Sequence, residues 1–195
     1  NIISNILNKK MKLVDINENE FTFKRYSDST LPLMVIIGSY NKKNRNINDL
    51  NRTENVEISI AYLLSGLVVN KINNHILLPI INIDVKISQL SDIINTYTSM
   101  KRLNDLHKKN KINDDLYIHC KEHFYKLDTL NKYLKSLSSE KYTSILKPII
   151  FQVLFSLYKI QNKYENFRHN NLTTNSIYLY FKKDVNEIYE INQIK

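Results

Sequence analysis

Hydrophobic and polar positions change period several times along the chain, and each change marks an element. Lys12–Ile16 and Glu20–Tyr26 alternate around a polar turn, Asn17-Glu18-Asn19, and Leu33–Ile37 is a continuous apolar run. These predict three strands, the third buried on both faces. Between Asn55 and Asn70, Val56, Ile60, Leu63, Leu64, Leu67 and Val68 recur at helical spacing, with Thr53 or Asn55 placed to cap the helix. Leu77–Val85 predicts a further strand, and Pro79 puts it at an edge or a bulge. Ser88–Lys108 carries a second amphipathic pattern, with Ile87, Leu90, Ile94, Tyr97, Leu103 and Leu106 on one side. Asp115–Glu122 reads as a strand, Leu127–Leu137 as a short helix, and Ser144–Asn162 as a long helix with Pro148 in its first turn. Its wide stripe (Ile149, Ile150, Val153, Leu154, Leu157, Tyr158, Ile160) suits the centre of a helical lobe. Finally Ile177–Phe181 and Glu187–Ile191 predict a hairpin around Lys182–Asn186. The fold class is α+β.

Composition narrows the function. A chain of 195 residues holds one sizeable domain or two small lobes. Hydrophobic content of 43% and aromatic content of 10% support a packed core rather than disorder. Two glycines and three prolines leave no room for Gly-rich phosphate loops or Pro-rich linkers. No uninterrupted apolar run approaches the roughly 18 residues of a membrane span, so no membrane partner is expected. The lone Cys120 rules out an internal disulfide and suits an intracellular, reducing compartment.

The net charge of +9 invites a nucleic-acid reading. Yet only five of the 28 basic residues are arginine, the side chain whose planar fork suits phosphate and base recognition. The charge reads as a compositional bias toward Lys, Asn, Ile and Tyr, and nucleic acid is not the favoured partner. The best basic cluster, Lys101, Arg102, Lys108, Lys109 and Lys111, reads first as a solvated helix end. His119, Cys120 and His123 are ligand-type residues at close spacing, but neighbouring strand residues point to opposite faces and no second cluster exists. No metal site is expected.

The most informative stretch is Phe167-Arg168-His169-Asn170-Asn171-Leu172 through Ser176 to Phe181, which follows the helix segment Phe151-Gln152-Val153-Leu154-Phe155-Ser156-Leu157. By itself His169-Asn170-Asn171 is ordinary polar turn chemistry. A helix, then His-x-[Asp/Asn]-Leu, then a polar loop and a strand also resembles the catalytic loop of protein kinases, in particular the kinase-like proteins of large DNA viruses. The resemblance implies a small lobe with an antiparallel sheet and an αC-like helix, then the first part of a mainly helical large lobe, ending before the activation segment. It divides the chain into a small-lobe-like region, 1–118, with a helical insertion at about 88–108, and a partial large-lobe-like region, 119–195.

At the motif positions the chain departs from the family. Asn171 stands where the catalytic Asp would be, and Ser176 where the metal-binding Asn would be. An amide cannot act as a base. Val35-Ile36-Ile37-Gly38 puts Gly38 at the place of the phosphate-binding lysine, with Lys24, Lys42 and Lys43 as poorer alternatives. Glu57 matches the αC glutamate but would lack its usual partner. Its plain reading is a first-turn acid favoured by the helix dipole. The resemblance also implies that His169 and Leu172 pack inward.

The resulting expectation is a pseudokinase: a structural or protein-interaction component of a viral assembly, in host cytoplasm or virion, with no cofactor and other proteins as partners. The rivals are a divergent serine/threonine kinase using ATP and magnesium, with chain beyond residue 195, and a basic nucleic-acid-binding module.

Overall fold

Alternation builds the sheet. In the computed structural model, residues 11–17, 20–25, 33–42, 46–123, 128–138, 142–181 and 186–191 are described. Strands β1 (Met11–Asn17), β2 (Glu20–Arg25), β3 (Leu33–Asn41), β4 (Pro79–Lys86) and β5 (Ile112–Glu122) form an antiparallel sheet in the order β1-β2-β3-β5-β4. Helix α1 (Thr53–Val69) lies between β3 and β4 in sequence. This mixed α+β layout is compatible with a kinase-like small lobe. Pro79 opens the edge strand β4, beside a register shift, where its missing N–H costs no central ladder bond. Glu18 and Asn19 of the expected first turn lie outside the described residues.

The chain divides into two compact units, residues 1–65 with 77–123, and residues 66–76 with 124–195. In the first unit β5 continues to Glu122, so the boundary expected after residue 118 falls inside a strand. Residues 88–108 are not one helix. A 3-10 turn (Ile87–Leu90), α2 (Ser91–Thr96), a second 3-10 turn (Thr98–Met100) and α3 (Lys101–Lys108) follow one another. They form the second layer of the core rather than an appendage. Ile87, Leu90, Ile94, Met100 and Leu103 pack against Phe21, Phe23, Val35, Ile37, Leu116, Ile118 and Cys120. Tyr97 meets the Phe23 ring edge-on and donates its hydroxyl to the Met11 carbonyl, pinning the layer to β1 and β2.

The second unit contains α4 (Leu130–Lys135), α5 (Tyr142–Lys163) and a two-stranded ladder of β6 (Asp128–Thr129) with β7 (Tyr178–Leu179). Thr129 caps α4 by accepting from the Lys132 amide. The hairpin expected from 177–181 and 187–191 is absent among the described residues. β7 pairs with β6 instead, and Tyr189 enters an aromatic cluster with Phe151 and Phe155, ring centroids 5.1 and 4.9 Å away. Turn residues 182–185 lie outside the described residues. Pro148 sits in the second turn of α5, not the first, because the helix begins at Tyr142. By length and composition α5 is apolar enough to cross a membrane. Lys147, Gln152 and Lys159 interrupt its apolar run without bringing the mean apolarity of the helix below that of a membrane span.

Candidate functional site

Each strand of the sheet turns every second side chain away from the core just described. The register lines these up in rungs across β2, β3, β5 and β4. Glu20, Gly38, Tyr117 and Asp84 form one rung, and Thr22, Ile36, His119 and Asn82 the next. Lys24, Met34, Lys121 and Pro79 form the third. This inner face is polar and aromatic where the outer face is apolar. Cys120 points to the outer core while His119 and Lys121 point inward, so the suspected His/Cys set is split by the pleat. Among the described residues no group of three or more potential metal ligands occurs.

Gly38 is the key to the rung. A Cβ there would overlap the Tyr117 ring, which lies across the strand in the space a side chain would use. Tyr117 is 2% exposed and donates to the Glu20 carboxylate on β2. Burial, then the bond and charge of Glu20, push its phenol well above the ordinary tyrosine range. His119 stacks on the Tyr117 ring at 4.5 Å. Burial, helped by the Lys121 charge, pulls its imidazole down to about 4, so it is neutral near pH 7.

The far end of the face is organised by Tyr40 and Arg52. Tyr40 donates to Asp84 at 2.8 Å, and Arg52 stands over its ring at 5.4 Å. Arg52 is buried, and donates to the carbonyls of Asn46 and Asn41 at 2.9 and 3.3 Å. The described part of the loop between β3 and α1 is therefore fastened, not merely solvated. Asn55, considered as a helix cap, instead donates its amide to the carbonyls of Ile47 and Asp49.

Glu57 has a partner after all. Lys121 Nζ lies 3.0 Å from its carboxylate, reaching α1 from β5 rather than from β3. With Gly38 on β3 offering no cation, the partner of Glu57 comes from a different strand. Sequence reasoning missed Tyr117 and Lys121, although Tyr117-Ile118-His119-Cys120-Lys121 alternates and so announces one polar and one apolar face.

The loop motif lies in the second unit. Asn170 adopts a left-handed backbone conformation (φ 55°), which asparagine tolerates, and the Asn171 amide donates to the His169 carbonyl at 2.6 Å. The Ser176 hydroxyl donates to the Asn171 carbonyl at 2.8 Å and lies 3.2 Å from the Thr173 hydroxyl. His169 is exposed, and Leu172 is 40% exposed. The expectation that both pack inward is therefore overturned. The loop holds itself by local bonds, with Ile177 and Thr174 carbonyls accepting from the Leu130 and Asn131 amides of α4.

No family model matches the chain. No solved structure matches it. Two curated proteins of Acanthamoeba polyphaga mimivirus are similar. One, named an uncharacterized protein, is 34% identical over 87% of this chain and 20% of its own length. The other, named "Putative serine/threonine-protein kinase", is 31% identical over 80% of this chain and 36% of its own length. The chain thus spans between a fifth and little more than a third of these relatives. It is related to proteins of this mimivirus, one of which carries a kinase name.

Proposed function

We propose that this chain is a kinase-like scaffold without phosphotransfer, serving as a structural or protein-binding part of a viral assembly. One observation carries the reading: the Tyr117 ring occupies the space at Gly38 where a phosphate-binding lysine would have to begin. A kinase contributes little beyond positioning and charge neutralisation, so a lysine replaced by a buried phenol removes a large part of the rate. The inner face also carries the carboxylates of Glu20 and Asp84, which repel phosphates. In the second unit, Asn171 offers no base, and the Ser176 hydroxyl is engaged inside its own loop. The relation to a mimivirus protein with a kinase name supports the scaffold, and the viral relatives support the viral setting.

The test is transfer of labelled γ-phosphate to generic acidic and basic proteins with magnesium or manganese. None is expected, and none from a Gly38→Lys/Asn171→Asp variant, because Tyr117 fills the space the new lysine needs. Thermal melting with ATP and magnesium should stay flat. A ligand at a hundred times its Kd would add about 2.7 kcal/mol. Transfer by the unaltered chain that disappears in Asn171→Ala overturns the proposal.

A further inference from the structure

In the reading above no nucleotide orders the inner face, so something else must hold α1 against the sheet. Lys121 stands on β5, flanked by β3 and β4, and is therefore fixed at its base on both sides. Its side chain is 19% exposed, and its Nζ meets Glu57 of α1 at 3.0 Å. The neighbouring rung offers no competing charge, since His119 is neutral near pH 7, and on the rung beyond it the Glu20 carboxylate accepts from Tyr117. Other charged groups turned to this side are Lys24 on the same rung, Glu54 one turn earlier on α1, Glu20 and Asp84 two rungs away, bonded to Tyr117 and Tyr40, and Arg52 over the Tyr40 ring. Glu57 itself is 62% exposed, so α1 supplies the movable half of the pair and β5 the fixed half.

We propose that Lys121 is a positioning residue that latches α1 to the sheet, taking over from β5 the helix-anchoring contact that Gly38 on β3 cannot make. The inference rests on the kinase-like reading for its meaning, but its test does not depend on nucleotide. An exposed ion pair contributes up to about 1 kcal/mol, which corresponds to about a five-fold change in local opening.

Hydrogen exchange of the full chain at neutral pH reads this opening directly. Lys121→Met and Glu57→Gln are each expected to speed exchange of the α1 amides at 57–65 about five-fold. The double variant should exchange no faster than either single, while the β5 amides stay as protected as before. Unchanged α1 exchange in Lys121→Met, or effects that simply add, overturns the latch. If Lys121→Met loosens β5 as well, Lys121→Arg decides: restored protection of α1 supports the latch, and continued loss overturns it. ATP with magnesium is added in a separate arm. Protection by nucleotide there counts against the nucleotide-free reading and leaves the latch to stand or fall on its own exchange data.

Discussion

The outer and inner faces of the five-stranded sheet are built from the same strands, one residue out of step, and they are held by different physics. The outer face is dry. Phe21, Phe23, Val35, Ile37, Leu116 and Ile118 are sealed by the turn-helix layer of residues 87–108, and the stabilisation is non-directional burial. The inner face has comparable depth at Tyr40, Tyr117 and His119, but each side chain there is held by a specific neighbour. Directional bonds of this kind contribute about 1 kcal/mol each, and cost more when one partner is lost. The difference teaches where the fold's stability lies. The outer layer makes the unit fold, and on the inner face the polar groups bond to one another.

Breaking the outer face should have the largest effect. Leu90, in the turn-helix layer, is fully buried against the sheet, and Leu90→Ala is expected to cost about 2–5 kcal/mol by equilibrium denaturation. A loss below about 1 kcal/mol would mean that the layer is an appendage and that the contrast between faces is false.

The inner face should announce itself through pH. The His119 imidazole has its pKa lowered to about 4 in the folded chain, against an ordinary value near 6.5. The unfolded chain therefore binds this proton first, and stability falls as pH drops from about 6.5 toward 4, then levels off for this group. The full difference is on the order of 3 kcal/mol. His119→Gln should flatten that part of the stability profile relative to the unaltered chain. An unchanged slope would show that His119 takes up its proton equally in the folded and unfolded chain, and that the inner face is wetter than described.

The smallest effect is expected in the second unit. Leu172→Ala should cost less than about 1 kcal/mol, since the side chain is already 40% exposed. A loss of 2 kcal/mol or more would return the loop to the buried role that its resemblance implied.

Much of the sheet was legible because strand alternation and helical spacing are local signals. Val35, Ile37 and Phe21 were readable as buried positions from their neighbours alone. What the sequence hid were relations across distance. The meaning of Gly38 depends on a register with Tyr117, and the partner of Glu57 depends on Lys121 in another strand. The stripe of Leu90, Ile94 and Leu103 was visible, but periodicity says that a face is apolar and not what it covers. The alternation of Ile188-Tyr189-Glu190-Ile191 failed in another way. The same pattern serves a ladder strand or an extended segment whose Tyr189 docks on Phe151 and Phe155, and only the tertiary contacts decide. His169 and Leu172 were assigned by analogy to a loop whose packing this chain does not share.

The single cysteine gives the molecule a built-in clock. Cys120 lies in the outer core, 1% exposed, one residue from both His119 and Lys121. A thiol reagent can reach it only while the two layers are parted. The rate of its modification under native conditions therefore counts separations of those layers without any added label. Reagents of increasing size would measure how wide each parting is.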